Sequence, residues 1–347
     1  MSLSYQQSGL SLARTQQNDA SLVRALQLDL RALGYLRGSI DGEFGEGTER
    51  AVRALQYDLL NNHGASRGGD GDAPVAIADF NLIGGARQVT AVTGAVDQAL
   101  VGCIAALLTD ARVPKLPNAA DPVGENAKVA RAIAQIRNGV APSPFVLAIL
   151  RQESGVRHFC VPVGANADNY IVVGFDHAVA ANTDEITSRG YGVGQYTLFH
   201  HPPRAEEVAD LMRDPAQNVS RAYAELREKL DKFVVGPSDR AEDRSAEHPL
   251  LPLRVCKYAP GDARYLSDCR NCALAVRKVD ITPGTPCCTG SASSYHVDQY
   301  YATATYRGVP DRADFPCDWP YAVRRYNGAG QDSYHYQTRV LLNLLND

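Results

Sequence analysis

The chemistry of this chain starts at one carboxylate. In the stretch APSPFVLAILRQESG, Val146, Ile149, Leu150 and Glu153 share one face at helical spacing. Ser143 has N-cap character, Pro144 suits the first turn and Gly155 is a natural stop. Such a helix carries Glu153 on its apolar face and in its last turn. Desolvation and the negative end of the helix dipole both disfavour the ionised form there, so a raised pKa is expected. A carboxyl that keeps its proton near neutral pH is a general acid. Beside Arg151 and Arg157 the same residue also reads as an ordinary salt-bridge partner.

Two further segments change that balance. In Ser188–Tyr196, Gly190, Gly192 and Gly194 alternate before Gln195 and Tyr196. Alternating glycines either make a tight turn or let backbone amides and carbonyls approach a ligand closely. No G-x-G-x-x-G or G-K-[ST] is present, so the segment is not a phosphate loop. In Tyr321–Gly330 a helix is expected to end at a Gly turn, with Tyr326 and Asn327 projecting from its last turn.

The elements that position these residues are helical. At 347 residues the chain has room for two domains. Its 45% hydrophobic and 21% charged residues argue against disorder, collagen and coiled coil. A net charge of −4 argues against a strongly basic nucleic-acid protein, and no apolar run is long enough to span a membrane. Residues 1–20 read as a polar tail. Val23, Leu26, Leu30 and Leu33 mark a first helix, closed by Gly34. A Gly-rich loop follows, and Thr48 is expected to cap a second helix with Val52, Leu55 and Leu59 on its apolar face. Residues 63–91 read as an inserted loop. A third helix from about Ala95 carries Val96, Leu100, Ile104 and Leu107. Three prolines in 113–126 mark a linker, and a helix from about Asn126 to Asn138 opens the second domain, 127–347.

Residues 21–108 resemble the three-helix peptidoglycan-binding domain found in many cell-wall hydrolases. Leu26-Gln27, Leu33-Gly34-Tyr35, Ile40-Asp41-Gly42-Glu43-Phe44-Gly45, Thr48, Ala51-Val52 and Leu55-Gln56 carry the likeness, with a fainter echo at Thr93–Asp97. Residues 127–347 resemble the lysozyme-like lytic transglycosylases. Glu153-Ser154, the Gly-x-Gly-Gln195 turn and Tyr326-Asn327-Gly follow that family's motif order. Val193 in place of a bulkier Leu-Met pair and one extra Gly after Asn327 depart from its pattern. The expected fold is thus mainly α: a three-helix peptidoglycan-binding domain joined to an α-rich lysozyme-like domain with a Cys-rich insertion at 236–317.

That resemblance implies a role for each residue. Glu153 would be the acid/base that cleaves the MurNAc–GlcNAc β-1,4 bond and closes a 1,6-anhydro ring. Ser154, Gly192, Gln195, Tyr196, Tyr326 and Asn327 would contact or support the saccharide. No metal and no cofactor is implied. A hydrolytic muramidase would need a second carboxylate, for which Asp168, Asp176, Asp184 and Glu185 are available. A wall-binding protein without catalysis is the non-enzymatic alternative. A zinc peptidase near His296 and His335 would lack H-E-x-x-H.

Cys256, Cys269, Cys272, Cys287 and Cys288 fit either disulfides or a structural zinc. The first twenty residues contain no apolar core of a Sec signal. The expectation is synthesis in the cytoplasm and action in the periplasm or cell wall after release or injection. Peptidoglycan would be the partner, joined by an immunity protein or delivery machinery if the chain is an effector. Deleting residues 1–112 is expected to weaken wall binding and spare cleavage of soluble glycan.

Overall fold

A computed structural model describes residues 3–7, 9–64, 75–136, 141–179, 182–232, 318–328 and 331–345. The fold is mainly α among the described residues, and none of their helices is long and apolar enough to cross a membrane. The chain divides into two compact units, Met1–Lys128 with Arg157–Asn218, and Val129–Val156 with Val219–Asp347.

In the first unit, α1 (Ala20–Ala32) starts at Asp19, whose carboxylate accepts the Ser21 and Leu22 N–H groups. Val23, Leu26 and Leu30 are buried as the spacing predicts, and Gly34 takes the left-handed conformation after the last turn at φ +80°. Gln27 organises the loop that follows. Its amide donates to Asp41 Oδ1 (2.9 Å), the Glu43 carbonyl (3.0 Å) and Thr48 Oγ1 (3.0 Å), and its oxygen accepts the Gly42 N–H at 2.8 Å. Asp41 also accepts the Glu43 amide, as its turn role predicts. Thr48 is not a cap. The second helix, α2 (Glu46–Asn61), begins after Gly45, so Thr48 lies inside it and donates its hydroxyl to the Glu43 carbonyl.

Next come a 3-10 turn at Ile77–Asn81 and a two-stranded ribbon, β1 (Leu82–Ile83) with β2 (Ala86–Arg87). The expected inserted loop thus has structure of its own and buries Ile77 and Phe80. The third helix, α3 (Gln98–Thr109), is capped by Asp97.

Three boundaries differ from the sequence reading. Residues 3–12 are not a loose tail: Leu3, Tyr5 and Leu12 are buried, Tyr5 donates to Asp29, and Leu12 pairs with Val96. A few apolar residues in a polar stretch suffice once a groove exists to take them. The 113–126 segment is not a free linker. Its prolines hold an extended backbone whose remaining groups pair: Leu116 N–H with Ala32 O, Ala119 N–H with Asn169 O, and Pro117 O with Ile171 N–H. Its last residues already belong to α4 (Pro122–Gln135), which contributes to both units.

Residues 157–218, expected within the second domain, pack into the first unit. They bring a three-stranded antiparallel sheet of β3 (Val173–Val179), β4 (Asn182–Tyr191) and β5 (Tyr196–Leu198), with β4 against α2. Polar anchors fix it. The fully buried Arg31 pairs with the fully buried Asp168, and Arg53 holds Asp184 through Nε and Nη2 at 2.7 and 2.6 Å. Arg189 Nε donates to the Gly34 carbonyl at 3.0 Å. A short α6 (Ala205–Glu207) and α7 (Pro215–Leu230) follow.

The second unit contains α5 (Ser143–Ser154), α8 (Trp319–Tyr326) and α9 (Gln331–Leu345), with α9 against both α5 and α8. Phe145, Val146, Ile149 and Leu150 of α5 are buried, as are Trp319 and Val323 of α8 and Val340, Leu341 and Leu344 of α9. The Cys-rich stretch, 236–317, lies outside the described residues.

Candidate functional site

Glu153 sits in the last turn of α5, as its spacing predicts. Ser143 is the first helical residue rather than the cap, because Pro142 occupies the extended position before it. Gly155 closes the helix in the left-handed conformation at φ 65°, and its N–H reaches the carbonyls of Leu150 and Arg151. Val156 continues at φ 61°. A β-branched residue rarely adopts that conformation, so the turn directly after the carboxylate is strained.

The carboxylate is half-buried, and the Tyr336 hydroxyl donates to its Oε1 at 2.5 Å. Tyr336 stacks on Tyr326, with ring centroids 6.3 Å apart and planes 10° from parallel. Burial pushes both phenols well above their ordinary pKa, and the adjacent Glu153 charge adds to the rise. Glu225 and Arg221 of α7 also act on Tyr326. The second unit thus brings Glu153, Tyr326 and Tyr336 together. Asn327 is the exposed C-cap of α8, and Gly328 follows at φ 101°. Ser154 is buried and its hydroxyl donates to the Leu150 carbonyl at 3.1 Å, the ordinary behaviour of a helix-end serine.

The glycine segment belongs to the first unit and forms the β4–β5 hairpin. Its amides face inward: Val193 N–H to His158 Nδ1 (3.3 Å), Gly194 N–H to Asn218 Oδ1 (2.7 Å) and Gln195 N–H to the Gly192 carbonyl (3.2 Å). Two of these amides are thus satisfied by side chains and the third by a backbone carbonyl. The glycines serve internal close packing. A Cβ on Gly192 (φ +75°) would fall 2.6 Å from His158 Cε1 and 2.8 Å from Asn218 Nδ2. Cβ atoms on Gly174 and Gly190 would fall 2.3 and 2.8 Å from Gln195 Oε1, so the Gln195 side chain folds back over the sheet. Its amide closes the turn on the Gly192 carbonyl at 2.8 Å. Tyr196 is half-buried and faces Tyr191 in the strand register.

His158 was not singled out by any motif. It is fully buried, bonds Met212 O at 2.8 Å through Nε2, and accepts from Val193 through Nδ1. Burial lowers its pKa to about 4, so it holds the turn as a neutral ring. Tyr336 did leave a sequence signal: Ser333, Tyr336, Gln337, Val340, Leu341 and Leu344 are buried at helical spacing on α9.

Comparison with known proteins bears on the first unit. Residues 19–59 match the peptidoglycan binding domain family. The match runs from the α1 cap to the end of the α2 core. This chain therefore carries a helical peptidoglycan-binding domain near its N-terminus, and that domain supports an interaction with the cell wall. No curated protein and no solved structure matches the chain.

Proposed function

We propose that the chain is a peptidoglycan-degrading enzyme of the lytic transglycosylase type, with Glu153 as its acid/base. The observation that carries this reading is the pairing of Glu153 with Tyr336 and Tyr326 at a strained helix end, on a chain with a peptidoglycan-binding domain. A half-buried carboxyl among phenols suits proton transfer at a sugar oxygen. Glu153 donates its proton to the glycosidic oxygen as the bond to C1 breaks. The resulting carboxylate takes the proton of the C6 hydroxyl, and that oxygen closes onto C1. The products are a 1,6-anhydroMurNAc end and a free GlcNAc hydroxyl, with no water consumed.

The lytic variant needs one acid/base group, which Glu153 supplies, whereas the hydrolytic variant employs a second carboxylate. Asp168 is paired with Arg31, Asp184 is held by Arg53, Asp176 accepts the Ser188 hydroxyl at 2.6 Å, and Glu185 Oε2 accepts from Asn182 at 3.2 Å. In this reading the enzyme acts in the periplasm or wall after release or injection.

Digestion of purified sacculi followed by mass spectrometry tests the proposal. Anhydro-muropeptides are expected. Products heavier by one water would identify a muramidase, and intact sacculi would identify a wall-binding protein.

A further inference from the structure

The first unit holds a pocket of about 360 Å³ outside the residues considered so far. One wall comes from the family-matched segment, through Tyr35, Arg37 and Arg50. The other comes from the β3–β4 hairpin, through Phe175, His177 and Ile186. The hairpin lies more than a hundred residues beyond the matched segment, so the pocket is composite.

Its chemistry is one-sided. The lining residues include two arginines and a histidine, and no carboxylate. Of the lining arginines, Arg50 is already paired with Glu46, which leaves Arg37 as the guanidinium available to a ligand. The Arg37 guanidinium is exposed and forms no hydrogen bond or ion pair among the described residues. The aromatic side is rigid. The buried Arg189 lies 5.2 Å from the Tyr35 ring centroid and 5.8 Å from that of Phe175, fixing both rings. One unpaired guanidinium beside fixed aromatic and aliphatic surface suits an anionic ligand with apolar side chains better than a neutral sugar.

We propose that this pocket binds the carboxylate-bearing stem peptide of peptidoglycan, with Arg37 engaging the carboxylate and the β3–β4 hairpin completing the site. It rests on the wall-binding half of the reading above and is independent of Glu153.

The test is calorimetric titration of the full chain with a disaccharide–tetrapeptide muropeptide and with the same disaccharide carrying a methylamide cap on its lactyl carboxyl in place of the peptide, which has no carboxylate. The muropeptide is expected to bind at least about tenfold more tightly, the worth of one charge-assisted hydrogen bond. Arg37→Ala should bring it down to the disaccharide's level with an unchanged melting temperature. His177→Ala should weaken it less, and Glu153→Gln should leave it unchanged. Equal binding of the two ligands, no binding of either, or full affinity in Arg37→Ala overturns the proposal. Failure of the lytic reading would appear instead as missing anhydro products with muropeptide binding intact.

Discussion

The Tyr336 hydroxyl donates to Glu153 Oε1 at 2.5 Å, joining the last turn of α5 to the middle of α9. The two residues are 183 positions apart. The bond sets Glu153 Oε1 against the phenol. On the proposed function, Tyr336 acts as a positioning residue for Glu153.

Removing that donor should change the pH profile as well as the rate. A hydrogen bond to the ionised carboxylate stabilises it, so in Tyr336→Phe the acid form persists to higher pH. The alkaline limb of the pH–rate profile should move up by about one unit, with kcat reduced about tenfold and KM nearly unchanged. A fall in activity at every pH without a shift of the limb would mean that Tyr336 only supports packing.

Glu153→Gln should abolish release of soluble muropeptides from sacculi while the protein still sediments with them. Gln keeps the shape and the Tyr336 contact but has no proton to give. Residual turnover within a factor of ten of the wild type would remove Glu153 from the reaction.

Gly192→Ala should destabilise the first unit by about 2 kcal/mol or more, because a Cβ meets both His158 and Asn218 and the backbone is left-handed there. Thermal melting reads this as a lower transition temperature. An unchanged transition would show that the hairpin can shift to admit a methyl.

The neutral His158 sets a pH dependence. Its folded pKa, about 4, lies below the ordinary value of 6.5, so the unfolded chain binds the proton first. Stability from this residue is complete above about pH 6.5, falls as the pH drops toward 4, and is then level. The full loss is on the order of 3 kcal/mol. The buried His201, also shifted down, adds in the same direction. Denaturant melts between pH 7 and 4 should show the decline, reduced in a His158→Gln variant.

Arg31→Ala should cost the first unit about 3–5 kcal/mol, since it leaves Asp168 buried without its partner. For the same reason, deleting residues 1–112 should unfold 157–218 rather than spare it. Circular dichroism of the truncated chain reads this directly, and cooperative melting of 157–218 in that chain would contradict the unit boundary.

The sequence by itself determined the local elements. Helical spacing placed α1, α2, α3 and α5, Gly34 and Gly155 closed their helices, and Glu153 fell in a last turn because such periodicities and caps depend on neighbours a few residues away. Asp41 was legible as a turn residue for the same reason, whereas the contacts by which Gln27 holds that loop came from the structure. Only the tertiary structure decided which segments share a core. It drew Leu3, Tyr5 and Leu12 out of an apparently polar tail, and moved 157–218 into the first unit through the Arg31–Asp168 and Arg53–Asp184 pairs. It also turned the glycine segment inward onto His158 and Asn218, and set Tyr336 against Glu153. Those outcomes rest on partners more than twenty residues apart in sequence, and no local pattern encodes which distant side chain will satisfy a buried charge, an amide or a carboxylate.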